Sequence, residues 1–361
     1  MTIYRRRNLI VVAAIVLLLI GARLVLPYAV KSYLNDRMAH MGDYHGHLVN
    51  VDLQLWRGAY SIDRFTITKV SAKVPVPLLS VSRMDIALSW RAIFHGMLRG
   101  KMKLIQAELN FVDGGSRGES QAGKGVDWRQ KLRLLAPAEL DQLTIVDSTV
   151  TFQNFVSSPR VNLKMTDVNG TATNLSNVDR RGGSRVADMQ ATAKVLGSAD
   201  LQTRASFDPL EKNGDFEFEL TINKIDLKQL NALARAYTGL DFASGNGDFV
   251  MQLNATNGHL EGYAKPLFHD LQMFSWKQDV EVDHKNPLQL AWEVVAQGVT
   301  SVFKNHGKDQ FATRVPISGE IGDQSLGTWS AVINVLRNAF VKAYTPQLEN
   351  LKPAPAATKG S

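Results

Sequence analysis

Few residues in this chain are placed to do chemistry. There is no cysteine, which excludes a disulfide framework, a thiolate metal site and a cysteine nucleophile. Of the eight histidines, His45 and His47 stand two apart, with His40 near them. That spacing puts two imidazoles on one face of a strand. A catalytic zinc needs three protein ligands and one open position. No residue pattern supplies the third ligand, and no HExxH helix is present. A zinc hydrolase on His40, His45 and His47 is the enzyme reading. The simpler reading is polar histidines in a connection beside the membrane. The GxSxG elbow and the GxxxxGK[ST] phosphate loop are both missing. Gly245 and Gly247 lack the third glycine of a dinucleotide fingerprint and precede a strand, so they read as a hairpin turn. Glu217 and Glu219 alternate with Phe216, Phe218 and Leu220, which makes them a solvated strand face rather than an acid–base pair. The expectation is a non-enzyme with no catalytic residue, no metal and no cofactor.

The charge balance points to a place in the cell. The 361 residues carry 41 Lys and Arg against 34 Asp and Glu, a net charge of +7. Residues 1–37 hold six of those bases and one acid, so the remaining 324 carry 35 against 33. A body so nearly balanced is not expected to bind nucleic acid. The excess sits around an apolar run. Residues 9–22 are uncharged and mostly apolar, and they follow Arg5, Arg6 and Arg7. At about 1.5 Å per residue such a run spans about 21 Å, short of a hydrocarbon core of about 30 Å. Extension through Arg23 to residue 30 makes it long enough, with Arg23 reaching for the interface. Tyr28 and Tyr33 suit an interfacial position. A cleaved signal peptide is the competing reading, but Ile20 stands where a small residue is preferred ahead of Ala22. The expected layout is a basic cytoplasmic tail over 1–8, a transmembrane anchor over 9–30 and a juxtamembrane connection over 31–47. A β-rich body over 48–345 and a disordered tail over 346–361 follow. The arginine cluster places the amino terminus in the cytoplasm and the body across the membrane.

From about residue 48 the dominant pattern is alternation with period two. Met84, Ile86, Leu88 and Trp90 alternate with other side chains, as do Phe216, Phe218, Leu220 and Ile222. Phe249, Met251, Leu253 and Ala255 form a third run, and Phe311, Thr313, Val315 and Ile317 a fourth. Weaker alternation covers 161–165, 189–195 and 201–207. Turn residues separate these runs at 208–209, 213–214, 244–247 and 257–258. Such strands have one apolar and one polar face, as in an antiparallel sheet covered on one side. Alternation alone leaves two architectures open, a sandwich or barrel with an ordinary core and a long curved sheet whose apolar face lines a groove.

A weak repeat adds to this. Met102, Leu104, Leu109 and Phe111 recur 41 residues later as Leu143, Ile145, Val150 and Phe152. The apolar positions change parity between 104 and 109 and between 145 and 150. A bulge or tight turn at Asp147 and Ser148 would return both halves to one face. Residues 64–70 read as a poorer third copy, and repetition suggests an elongated sheet. Amphipathic helices are expected over 225–237, with Asp226 as the cap and Gly239 at the end, and over 290–304 and 328–344. Residues 113–125 and 351–361 read as linker-like.

An anchor followed at once by a β-rich body resembles the AsmA-like proteins of Gram-negative envelopes. Several segments look like their short branch, the domain of unknown function 748. These are Leu88, Ser89, Trp90, Arg91 and Gly96; Leu143, Ile145, Asp147, Val150 and Phe152; Arg314, Pro316 and Gly319; and the closing stretch with Trp329, Leu336, Arg337, Asn338 and Phe340. The resemblance covers most of residues 1–345. It implies an inner-membrane protein with its body in the periplasm. It also implies a curled, elongated antiparallel sheet with an apolar groove, and a role in moving phospholipid or supporting envelope biogenesis. Groove residues are then expected at Met84, Ile86, Leu88, Leu109, Phe111, Val150, Phe152, Phe216, Phe218, Leu220, Ile222, Phe249, Met251 and Leu253. About 14–18 strands would reach only about 65–85 Å, marginal for bridging two membranes. The alternative is an assembly scaffold that pairs with other envelope proteins through open sheet edges.

Overall fold

The computed structural model describes residues 2–39, 41–70, 74–95, 99–114, 116, 119–121, 139–175, 187–207, 215–237, 240–275, 310–312 and 314–320. Among these the chain is mainly β. Helix α1 (Thr2–Met38) leads into β1 (Tyr44–Gln54), β2 (Ala59–Lys69), β3 (Leu79–Leu88), the short α2 (Trp90–Ile93) and β4 (Arg99–Asp113). Then come β5 (Glu139–Asn154), β6 (Val161–Thr173), β7 (Ala187–Val195), β8 (Ala199–Phe207) and β9 (Phe216–Asp226). A 3₁₀ turn (Leu227–Leu230) runs into α3 (Asn231–Tyr237), followed by β10 (Leu240–Thr256), β11 (His259–Ser275), β12 (Gln310–Ala312) and β13 (Val315–Glu320). The strands form one open sheet in chain order from β1 to β12, with β13 also pairing on β11.

The sheet is mixed, not antiparallel as the alternation suggested. β4 and β5 run parallel, Met102 opposite Leu143 and Phe111 opposite Phe152. The physical reason is the long segment 114–138, which carries the chain back to the same end, as a parallel pair requires. The 41-residue repeat is this ladder, each residue of β4 lying beside its counterpart in β5.

The parity switch has a simple cause. Gln106 and Asp147 adopt positive φ, 51° and 49°, in mid-strand. A residue in this left-handed region redirects the chain so that the inward positions resume three residues later rather than two. Leu104 is thus followed inward by Ala107, and Ile145 by Ser148, whose Oγ accepts the Ala107 N–H at 3.0 Å. Arg64 in β2, the poorer third copy, has the same conformation, as do Asp167 in β6 and Lys224 in β9.

Other local expectations divide. Asn257 and Gly258, φ 52° and 83°, form the two-residue turn between β10 and β11. Both central residues at positive φ is the twist that suits a hairpin. Residues 244–247 are no turn. They lie inside β10 as an irregular stretch where the register against β11 shifts twice. Asp226 caps the 3₁₀ turn, its Oδ1 accepting the Lys228 N–H at 3.1 Å, so α3 starts later than the periodicity predicts. Gly239, the helices expected over 290–304 and 328–344, and the turn at 213–214 lie outside the described residues.

Two asparagines fasten helices to strand backbone. Asn35 Nδ2 donates to the Leu48 carbonyl at 3.1 Å, and the Leu48 N–H donates to Asn35 Oδ1 at 2.8 Å. The side-chain amide stands where a neighbouring strand would pair with β1, which closes that point of the edge. Asn231 repeats the arrangement on β10, donating to the Phe242 carbonyl at 3.0 Å and accepting its N–H at 2.7 Å. Leu34 and Met38 of α1 then pack with Tyr44, Leu48, Val51 and Phe65 in a closed cluster. Replacing Asn35 with Ala strands two backbone groups beside a buried leucine. It is expected to destabilise this end by about 2 kcal/mol, measured as a fall in the urea midpoint with an unchanged slope.

Candidate functional site: an open apolar sheet face

Directly paired residues share a face, so the register maps the surface. One row runs Leu53, Tyr60, Ile86, Met102, Leu143, Ala172, Met189, Ala205, Phe218, Leu253, Gly262 and Ile317. It crosses every strand except β12 without one charged residue. The next row, two residues along each strand, runs from Val51 through Met84, Leu104, Ile145, Gly170, Ala191, Thr203, Leu220 and Met251 to Val315. At about 4.8 Å per strand the two rows form an apolar band about 50 Å long.

The fourteen groove residues expected from sequence all lie on this face, but not in one environment. Met84 and Ile86 are buried in the cluster under α1. Met251 and Leu253 are buried in a second cluster with Ala264 and Ile317. Phe111 is buried, whereas Leu88, Leu109, Val150, Phe152, Phe216, Phe218, Leu220, Ile222 and Phe249 are half-buried. A third cluster gathers Leu227 and Ala234 of the helical segment with Ala199, Ile225, Phe242 and Phe268, and touches Ile222 and Phe249. The band is therefore closed core at both ends and open in the middle. Among the described residues α3 packs against β6.

Sequence reasoning missed the floor of that middle stretch. Gly170, Ala172, Ala191, Thr203 and Ala205 occupy the two rows on β6, β7 and β8. They sit between Leu143 and Ile145 on one side and Phe218 and Leu220 on the other. The floor drops there by the length of the missing side chains. A Cβ at Gly170 would come within 2.9 Å of Ala191 Cβ, so the backbones are already close. The signal was the weak alternation over 189–195 and 201–207, whose inward positions include Ala191, Ala193, Thr203 and Ala205.

The opposite face is polar along its whole length. Asp85, Lys103, Thr144, Thr171, Gln190, Arg204, Glu219, Gln252 and Tyr263 form one transverse row. Gln252 donates to Glu219 at 3.1 Å and accepts from the Tyr263 hydroxyl at 2.6 Å. The Arg314 guanidinium lies 4.1 Å from the Tyr263 ring centre. Lys194 bonds Asp200 at 2.5 Å and holds its carboxyl below the usual carboxylate range. Two shallow cavities, of about 540 and 450 Å³, open largely on this face around Thr171, Gln190 and Arg204 and around Ser61, Arg83 and Lys103. Of the fourteen apolar positions only Ile86 borders either. The apolar band lies on the other face of the sheet. Tyr60 lies in it, its phenol pushed up to about 12 by burial.

The remaining chemical positions assemble nothing catalytic. His45 and His47 point outward from β1 and are exposed, and His40 lies outside the described residues. Among the described residues no three His, Asp or Glu side chains gather as a metal site. Glu217 and Glu219 are exposed on the polar face. The chain matches no family model and no curated protein.

Helix α1 is about 55 Å long at 1.5 Å per residue. The side chains of residues 2–10 and of Val12, Ile15, Val16, Leu18, Leu19 and Ala22 lie outside the described ones. Among the described residues no helix is long and apolar enough to cross a membrane.

Proposed function

We propose that the protein is anchored in the bacterial inner membrane by α1 and holds phospholipid acyl chains on the open middle of its apolar sheet face. The observation that carries this is the pair of uncharged rows, which cross from one packed cluster to the other with a low floor over β6 to β8. An acyl chain needs a continuous dry surface and no reacting group, and every second side chain of these strands supplies one. Contiguous apolar surface left open to solvent marks an interaction site. The anchor rests on the arginines at 5, 6 and 7, the run over 9–22 and the exposure of Val11, Leu17 and Ile20. A periplasmic body and a role in lipid movement or envelope biogenesis follow from the resemblance to AsmA-like proteins. The scaffold alternative, pairing through sheet edges, is weakened at β1, where Asn35 already occupies the backbone of Leu48.

The test is face-specific. A photo-crosslinking amino acid is placed at Phe218 or at its neighbour Glu219 in the full chain, and the membrane is irradiated before extraction. The expected result is a phospholipid adduct at 218 and none at 219. Equal yields at both, or none at 218, would reject a lipid-holding face.

A further inference from the structure

The end of the sheet nearest α1 carries a group of exposed aromatic residues that the lipid-holding face does not use. Trp56 is 72% exposed and Phe94 82%. Trp90 is exposed beside them, its ring 6.1 Å from that of Phe94. These residues come from two connections, 55–58 after β1 and 89–95 after β3. The connections are built against each other. The Leu88 N–H donates to the Gly58 carbonyl at 2.7 Å. Gly58 has φ 61°, and a Cβ there would lie 2.9 Å from the Trp90 indole nitrogen. Ser89 caps α2, and its N–H donates to the Arg99 carbonyl at 2.8 Å. Solvent-facing tryptophans held this firmly are not loose loop residues.

Helix α1 leaves the body at this same end. Asn35 sits at Leu48, and Arg23 sits further along β1, donating to the Leu53 carbonyl at 3.4 Å with its guanidinium 5.7 Å from the Trp56 ring centre. Residues 2–22 therefore lie beyond the sheet. Their uncharged run, 9–22, is about 9 Å too short for a hydrocarbon core. Leu24 and Val25, each 65% exposed, are the next apolar side chains available. For them to enter the bilayer, the body end level with Arg23 must reach the headgroups. Arg23 tolerates that depth because it already has a carbonyl and a ring as partners. Tryptophan favours this level of a bilayer. Arg57 and Arg91 are exposed there, and neither 53–60 nor 86–99 contains an acidic residue.

We infer that the connections 55–58 and 89–95 form a platform that rests in the headgroup layer of an anionic bilayer, seating the sheet end-on against the membrane. This rests on α1 being the anchor, and the test separates the two. The chain has no cysteine, so one introduced cysteine carries a unique spin label. Phe94→Cys, Val156→Cys and Leu17→Cys are made in the full chain and reconstituted in vesicles of phosphatidylglycerol and phosphatidylethanolamine. Val156 is also an exposed apolar residue, but lies in the turn after β5, at the far end of the sheet. The expected result is a Leu17 label reached by oxygen and not by a water-soluble nickel chelate. The Phe94 label should be protected from nickel at least threefold relative to the Val156 label. A lipid-exposed Leu17 label with equal nickel access at 94 and 156 would overturn the platform and leave the anchor. A nickel-accessible Leu17 label would remove the anchor, and the platform with it. Protection at 94 that persists in phosphatidylcholine vesicles would overturn the requirement for anionic lipid.

Discussion

Replacing Met251 with glutamate is expected to unfold the β9 to β11 end of the sheet rather than empty a groove. Met251 is 1% exposed and packs with Leu253, Ala264 and Ile317. A carboxyl there is surrounded by apolar side chains, and burial raises its pKa and holds it neutral, a penalty of about 4 kcal/mol near pH 7. Lost methionine packing adds about 2 kcal/mol. The sign with pH follows from the raised value. The folded variant binds its proton more tightly than the unfolded chain, so its stability is greatest at low pH. That stability is lost as pH rises from about 4.3 through the folded value. Urea midpoints at pH 5 and pH 8 should therefore diverge for Met251→Glu, while Met251→Gln should be lowered by the same amount at both. A fully folded Met251→Glu protein at pH 8 would mean that this position is open to solvent or lipid. Phe218→Glu is the contrasting case, since Phe218 is half-buried at the border of the open stretch. It should reduce lipid occupancy with little loss of strand content.

How far the sequence reached is clear from particular residues. The 41-residue repeat and its parity change were legible because both are local. Spacing along the chain showed that Leu104 and Leu109 could share a face only with a break between them, and Gln106 is that break. The direction of pairing was not legible. Whether β5 lies parallel or antiparallel to β4 depends on where 114–138 returns the chain, a long-range property that no periodicity encodes. Residues 244–247 misled for the opposite reason. Serine, asparagine and two glycines are turn chemistry, yet the same conformational freedom serves a strand whose register shifts. The middle floor was hidden because hydrophobic patterning weighs large side chains, and a trough is made by small ones. Asn35 and Asn231 left no trace, because a polar residue late or early in a helix looks like any solvated position until its strand partner is known.

The low floor offers the sharpest test of the lipid reading. Ala205→Trp places a large ring between Met189 and Phe218, in the first of the two rows. Ala205 is half-buried, so if the ring projects into an open trough, strand content should be unchanged and the unfolding free energy should stay within about 0.5 kcal/mol of the parent. If acyl chains lie along the row, the indole displaces about three methylenes, about 2.4 kcal/mol, or a fall of roughly 50-fold in affinity. Lipid mass spectrometry on the gently purified full chain, with Gln190→Trp on the opposite face as control, would read this. Loss in Ala205→Trp alone is the expected outcome. Equal retention in both variants would mean that lipid bound to this protein surrounds only α1. Unfolding of Ala205→Trp would instead show that the middle of the band is covered, and that its apolar rows serve packing from end to end. The same substitution thus discriminates core from groove in the middle of the apolar band, between the two packed clusters.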